Sequence, residues 1–121
     1  KIYSGSSTVL TIGYSDRIPL LMDACDVLFT KPGGLTSTEA LNRGIPIIHT
    51  APIKGIEDKN ARFFNERGMS FTSPYSGDMA EYAFQLCEEE NCRNEMLESQ
   101  KHNRLANAAF NILTIIKTQT K

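Results

Sequence analysis

The chain has 121 residues and a formal net charge of −1, with 13 basic against 14 acidic side chains. That length suits one modest domain and is too short for two. The balanced charge gives no support to a broad nucleic-acid or anionic-membrane surface. No apolar run approaches the roughly 18 residues that a membrane-spanning helix needs.

The three cysteines, Cys25, Cys87 and Cys92, are an odd number and lack the spacing of a zinc template or a disulfide scaffold. Reduced thiols in the cytoplasm are therefore expected, with Cys25 packed as a small hydrophobic residue. The sequence begins at Lys1 without a signal-peptide pattern. We expect residues 1–121 to form a single domain that is truncated at its N-terminus.

The first half of the chain alternates between strand and helix patterns. Residues 8–13 form a β-prone run, and 18–25 predict a short helix with a proline in its first turn. Residues 26–30 are a continuous apolar run, typical of a parallel strand covered on both faces. A helix over 35–43 and a second buried strand over 45–49 follow.

The second half adds a helix over 57–67, a short strand over 69–72 and two further helices. The apolar positions of those last helices follow helical spacing from Met79 and again from Met96 to Ile116. Alternating strands and helices predict an α/β fold, with a Rossmann-like parallel sheet of at most four strands and flanking helices. One or two strand–helix units are expected to be missing before it.

Residues 26–40, DVLFTKPGGLTSTEA, are the most informative segment. They predict a strand, a glycine turn and a helix whose N-terminus opens at the carboxyl end of the sheet, where ligands of α/β proteins bind. A helix start offers unpaired amides and a partial positive charge to a phosphate, and Gly33 and Gly34 allow close approach.

A purely structural interpretation of the same segment is also open. The run from Thr36 to Glu39 matches a capping box, in which Thr36 caps the helix and Glu39 reaches back to its amide. Neither a P-loop nor a G-x-G-x-x-G dinucleotide fingerprint is present, which argues against a kinase or a dehydrogenase.

The stretch 13–68 resembles the C-terminal domain of GT-B glycosyltransferases. It is similar to the monogalactosyldiacylglycerol synthases and processive diacylglycerol glucosyltransferases, and more distantly to the peptidoglycan N-acetylglucosaminyltransferase. The resemblance rests on TKPGG-x-T-x-x-EA, then G-x-P, then a loop that ends in NA. Those elements in that order are more specific than any one alone.

This resemblance implies a UDP-sugar site. Gly13 and Tyr14 match the strand end that meets the uracil, and Glu39 matches the acidic residue that binds the ribose hydroxyls. The positions that match the diphosphate site are Gly33, Gly34, Leu35 and Thr36.

The donor-sugar positions implied by the resemblance are Ile56, Glu57 and Asn60. Relatives usually have P-G-Q-E where this chain has the four residues from Lys54 to Glu57. Ile56 therefore replaces a glutamine and cannot make its hydrogen bond to the sugar, which leaves the identity of that sugar and the activity open.

The function implied is inverting transfer of a hexosyl group from a UDP-hexose to a lipid acceptor such as diacylglycerol. No cofactor, essential metal or nucleic-acid partner is implied. The general base and the acceptor site belong to the domain that precedes this one, so no catalytic residue is assigned and this fragment alone is expected to be inactive. The protein would be cytoplasmic, with peripheral attachment to the inner face of the cell membrane compatible with the family.

Two alternatives remain open from the sequence. The chain could be the donor-binding subunit of a two-chain glycosyltransferase, or a non-catalytic nucleotide-sugar-binding or structural domain, which Ile56 favours. Other residues are interpreted structurally: His49 as a strand-end packing or rim residue rather than a base, and Phe63 with Phe64 as core. His102 and the acidic run 88–90 are expected to be solvated.

Overall fold

The computed structural model describes residues 7–120, which form six helices and a three-stranded parallel sheet. In chain order the elements are α1 (Ile18–Asp23), β1 (Leu28–Thr30), α2 (Gly34–Arg43), β2 (Ile47–His49), α3 (Asp58–Glu66), β3 (Phe71–Thr72), α4 (Ser76–Glu88), α5 (Glu90–Asn103) and α6 (Ala108–Gln119). The strand order is β1-β2-β3. The predicted Rossmann-like α/β class is confirmed.

The central strand β2 pairs in parallel with both neighbours, Leu28 opposite Ile47 on one side and Ile48 opposite Phe71 on the other. Because all three strands run the same way, their carboxyl ends meet at one edge of the sheet. All residues of β2 are buried, as the continuous apolar run predicts for a strand covered on both faces.

Two apolar clusters cover the two faces, since successive residues of a strand point to opposite sides. Ile47 packs with residues of α1, α2 and α3, and Ile48 packs with residues of α4 and α5. The fully or nearly buried members are Met22, Ala40, Leu41, Ile45, Ile47, Phe64 and Met69 on the first face, and Ile48, Leu86 and Met96 on the second. The helices therefore fix both faces and leave the carboxyl edge free.

The strand predicted over 8–13 is wrong. This run is irregular and exposed, and Leu10 shows 83% of its surface to solvent. A β-prone run forms a strand only where it finds a neighbouring edge and a surface to pack on. The sheet of the described residues begins at β1 instead.

The capping-box interpretation is also wrong. Gly33 is the N-cap of α2, with φ −77° and ψ 142°, so the helix starts directly after the Pro-Gly turn and Thr36 already lies within it. A helical residue cannot act as N-cap, and Glu39 forms an ion pair with Arg43 instead. The predicted end of this helix at residue 43 is confirmed, because Gly44 ends α2 with φ 67°.

The prediction of two final helices is wrong, since three follow β3. The break after α5 lies at Arg104, whose backbone is extended and whose guanidinium donates to the Leu41 carbonyl at 3.1 Å. Asn107 then adopts a left-handed φ of 59° before α6. None of the residues of α6 is buried.

Of the helices in residues 7–120, none is both long and apolar enough to cross a membrane.

The remaining expectations for individual side chains have mixed outcomes. Cys25 is exposed rather than packed, with its thiol donating to the Leu21 carbonyl. Phe64 is buried as predicted, but Phe63 is half exposed and holds the Arg67 guanidinium over its ring. The acidic run 88–90 and His102 are exposed, as expected.

Candidate functional site

The turn that joins β1 to α2 lies at the carboxyl edge of the sheet. Gly33 donates its amide to the Lys31 carbonyl at 2.7 Å, and the first helical hydrogen bond runs from the Ser37 amide to the Gly33 carbonyl at 3.1 Å. The three amides between them, those of Gly34, Leu35 and Thr36, belong to the first turn, where an α-helix supplies no acceptor. A helix start with unpaired amides carries a partial positive charge, which favours anions in general.

The helix start is open to solvent. A Cβ atom at Gly33 would meet nothing within 4 Å, and one at Gly34 would approach only the Asn60 side-chain nitrogen, at 4.0 Å. Leu35 is 91% exposed, and Thr36 is exposed as well. The predicted phosphate positions therefore form one continuous, accessible surface.

The start of α3 lies beside this turn. Asn60 donates its Nδ2 hydrogen to the Pro32 carbonyl at 3.1 Å, which joins α3 to the turn before α2. Glu57 precedes α3 directly, and its Oε2 accepts the Ile53 amide at 2.8 Å. Both residues thus lie at the carboxyl edge, and each uses one polar atom of its side chain to hydrogen-bond the backbone of a loop.

Sequence reasoning missed Asp58 in the same loop. Its carboxylate accepts the Gly55 amide at 2.7 and 2.8 Å and fixes a turn in which Gly55 has φ 82°. A Gly-x-x-Asp spacing before a helix is the available signal. The turn displays Ile56 with 74% of its surface exposed, so an apolar side chain stands at the position where the resemblance implies a glutamine.

Glu39 lies on the exposed side of α2, one turn beyond the helix start. Its Oε1 is 3.3 Å from Arg43 Nε, and 43% of its side chain remains exposed. Such a carboxylate can still accept hydrogen bonds from hydroxyl groups. It lines a shallow surface groove with its neighbours Leu35, Thr38, Asn42 and Arg43.

Gly13 and Tyr14 lie apart from these residues in the irregular segment before α1. The Tyr14 side chain is fully exposed, and a Cβ at Gly13 would meet nothing within 4 Å. The structure thus ties Asn60 to the turn of Gly33 and Gly34 through its hydrogen bond to the Pro32 carbonyl, with Glu39 and Glu57 on the adjoining elements. The Gly13–Tyr14 pair is left in solvent.

Behind the helix start lies a buried polar group that the sequence did not reveal. His49 is completely buried at the end of β2, with Nε2 2.9 Å from Ser37 Oγ and Nδ1 3.1 Å from Ser70 Oγ. The interpretation of His49 as a packing residue is confirmed, and its ring also meets Phe64 edge-on at 5.4 Å. No spacing in the sequence signals these long-range bonds.

Burial lowers the pKa of His49 from 6.5 to about 4, and the nearby Glu57 charge opposes this shift only partly. The ring is therefore neutral at pH 7, with one nitrogen as donor and the other as acceptor. Each serine hydroxyl can both donate and accept, so both ring nitrogens of the neutral His49 have hydrogen-bond partners. Within residues 7–120, no set of three His, Cys, Asp or Glu side chains is placed to hold a metal ion.

The chain is similar to several known proteins that share one name. No protein-family model matches the chain. The processive diacylglycerol beta-glucosyltransferase of Bacillus licheniformis is 38% identical over 111 residues, which is 92% of this chain. The proteins of the same name from Bacillus subtilis and Bacillus pumilus are 34% and 33% identical over 91% and 90% of the chain.

The chain is homologous to one part of these glucosyltransferases. The resemblance predicted from the TKPGG-containing segment is thereby confirmed, and it extends over nine tenths of the chain rather than half. The chain spans 29%, 29% and 28% of the length of these three relatives. That coverage is consistent with a partial C-terminal domain of the family.

Proposed function

We propose that this chain is the donor-binding part of an inverting glycosyltransferase that transfers a hexosyl group from a UDP-hexose to a lipid acceptor such as diacylglycerol. The relatives' name, processive diacylglycerol beta-glucosyltransferase, supports the reaction class and the acceptor. The observation that supports donor binding most directly is the open first turn of α2 at the carboxyl edge of the parallel sheet.

In this proposal the first turn of α2 binds the diphosphate. The amides of Gly34, Leu35 and Thr36 donate to its oxygens, and the Thr36 hydroxyl adds a further donor. Negative charge grows on the UDP oxygen as the glycosidic bond breaks, and the partial positive charge of the helix start stabilises it. This chemistry uses backbone groups that are already in place.

The remaining contacts are assigned by the same proposal. Glu39 accepts hydrogen bonds from the ribose hydroxyls, because its carboxylate is exposed and has only one ion-pair partner. Asn60 keeps its carbonyl oxygen for the hexose while its Nδ2 holds Pro32. Glu57 offers its second carboxylate oxygen in the same way. Gly13 and Tyr14 are assigned to the uracil.

The acceptor site and the general base are assigned to another part of the protein. The family resemblance implies a general base in the domain that precedes this one, so none of the proposed donor contacts is assigned that role. We therefore expect residues 1–121 to act as one donor-binding domain that lacks strands at its N-terminal side and is inactive by itself. The proposed location is the cytoplasm, with peripheral attachment of the complete protein to the inner membrane face.

The test is a transfer assay with the full-length protein. UDP-glucose and UDP-galactose, each labelled in the hexose, are supplied with vesicles that contain diacylglycerol. The proposal predicts a labelled β-linked glycolipid from one of these α-linked donors, with the linkage read from the proton coupling of the anomeric centre. A folded protein that binds UDP but forms no glycolipid, or one that forms an α-linked product, contradicts it.

One observation favours a second candidate, a non-catalytic nucleotide-sugar-binding domain. Ile56 is exposed in the loop assigned to the hexose, where its apolar side chain cannot donate or accept a hydrogen bond. The same assay separates the two, because this candidate predicts UDP binding without transfer to any acceptor.

A further inference from the structure

His49 occupies the end of the central strand, directly behind the helix start. It is completely buried, and both ring nitrogens have serine partners from different elements. Ser37 belongs to the first turns of α2, and Ser70 lies just before β3. The two hydroxyls are themselves buried, so this is a fixed polar link between three elements.

The link continues to the proposed phosphate site. The Ser37 amide donates to the Gly33 carbonyl at 3.1 Å, so the ring of His49, the side chain of Ser37 and the N-cap of α2 form one chain of hydrogen bonds. A second anchor reaches the same turn from the other side, where Asn60 donates to the Pro32 carbonyl. The turn is thus held against both β2 and α3.

We propose that His49 is a positioning residue: through Ser37 it fixes the first turn of α2 against β2, so that the amides of that turn are aimed at a diphosphate. The inference rests on the proposed function. Amides stabilise a phosphate without reorganisation only if they are held in place before it binds, and small displacements are costly. A serine in a helix can otherwise turn its hydroxyl to its own backbone, which bends the helix.

A hydrolytic serine–histidine pair is a different use of the same contact, and the geometry argues against it. A nucleophile must reach a substrate, whereas Ser37 and His49 are both completely buried. The orienting carboxylate of such sites is replaced by the Ser70 hydroxyl on Nδ1. The contact therefore holds structure rather than performing chemistry.

Two amide variants separate the two ends of the link. A glutamine amide reaches the position of Nε2, so His49→Gln keeps a partner for Ser37, whereas an asparagine amide reaches only Nδ1, so His49→Asn keeps a partner for Ser70. Ser37→Ala and Ser70→Ala remove the same two bonds from the other side. Affinities of the full-length protein for UDP and for uridine are measured by calorimetry.

The expected result is selective loss of diphosphate binding. Ser37→Ala and His49→Asn weaken UDP binding about tenfold, the effect of losing one well-placed hydrogen bond, and leave uridine binding unchanged. Ser70→Ala and His49→Gln change UDP affinity by less than about twofold. Amide spectra identify folded variants, and Ser37→Ala is the decisive one because alanine is a good helix former.

Three outcomes overturn the proposal. Unchanged UDP affinity in folded Ser37→Ala shows that His49 positions nothing. Equal losses for UDP and uridine, or equal losses in Ser37→Ala and Ser70→Ala, show a general structural role. A wild-type protein that binds no UDP contradicts the proposed function itself. If the wild type binds UDP and one of the three variant results above is found, only the role of His49 is contradicted.

Discussion

Glu39 is a residue whose fold contacts are weak and whose proposed ligand contacts are strong. Its described partner is Arg43, in an exposed ion pair of the kind that contributes little to stability. We expect Glu39→Ala to weaken UDP binding by about 1–3 kcal/mol, because charge-assisted hydrogen bonds to the ribose are lost. The unfolding free energy should change by less than about 0.5 kcal/mol.

The matched control is Glu98→Ala, which removes an exposed ion pair with Lys101 on α5. Calorimetry should show unchanged UDP affinity in this variant. A Glu39→Ala protein that binds UDP normally would exclude the ribose contact.

Ile56 departs from the P-G-Q-E pattern that the resemblance implies for this loop. We expect Ile56→Gln to raise affinity for the UDP-hexose by about threefold to tenfold, since one hydrogen bond to the sugar is worth about 0.5–1.5 kcal/mol. Affinity for UDP should not change. The half-exposed Ile53 of the same loop provides the control, because Ile53→Gln should not change the affinity for UDP-hexose relative to that for UDP. Equal changes in both affinities would place Ile56 away from the hexose.

The buried His49 should make stability depend on pH. Its pKa is about 4 in the fold and 6.5 in the unfolded chain, so between these values the unfolded state binds the extra proton. Stability is therefore complete above pH 6.5 and falls by roughly 2–3 kcal/mol as the pH drops to about 4. Below that range both states are protonated, and this contribution no longer changes.

Denaturant unfolding of wild type and His49→Gln at several pH values measures how the unfolding free energy of each protein changes with pH. The variant should be less sensitive to pH between 6.5 and 4, because it lacks the titrating ring. His102→Gln, which alters an exposed histidine of α5, should behave as wild type. Parallel pH curves for wild type and His49→Gln would contradict the assignment.

At the scale of single elements, α2 depends on its glycine turn. Gly33 has φ −77°, which any residue adopts, and a Cβ there would point into open space. We expect Gly33→Ala to cost less than about 1 kcal/mol in stability. It should nevertheless weaken UDP binding about tenfold or more, because the added methyl group occupies the approach of the phosphate.

The control is Gly77→Ala in the first turn of α4, where a Cβ also meets nothing within 4 Å. It should leave UDP affinity unchanged, as measured by calorimetry beside thermal unfolding. Normal UDP binding by Gly33→Ala would mean that the phosphate does not approach this turn.

The elements that the sequence predicts correctly are those set by local chemistry. The strands over β1 and β2 follow from continuous apolar runs, and the end of α2 follows from Gly44, whose left-handed φ suits glycine. The sequence leaves two possible starts for α2, a capping box and a Pro-Gly turn that lie within a few residues of each other. The turn defines where the helix begins.

The failures have non-local causes. The break after α5 depends on Arg104 and the Leu41 carbonyl, which are 63 residues apart, and no periodicity signals it. The run 8–13 has strand composition but no neighbouring strand in the described sheet. The candidate site divides in the same way: the sequence predicts the turn at Gly33 and Gly34, while the link through His49 exists only once three elements are packed together.

At the scale of the molecule, the two faces of the sheet are covered and its carboxyl edge is open. α1, α2 and α3 pack on one face, and α4 and α5 pack on the other. Within residues 7–120, α6 buries none of its residues, so its apolar pattern is not accounted for by contacts in this part of the chain. The surface proposed to bind the donor is this open edge, to which Asn60 of α3 joins the turn before α2.

The most direct test of donor binding at this edge is an amide NMR titration of the 15N-labelled chain with UDP, using uridine as the control without phosphate. We predict that UDP shifts the amide signals from Gly33 to Glu39 and that of Asn60, and that uridine shifts these signals much less. A well-folded chain that shows no shifts with UDP, or shifts confined to other elements, would contradict it.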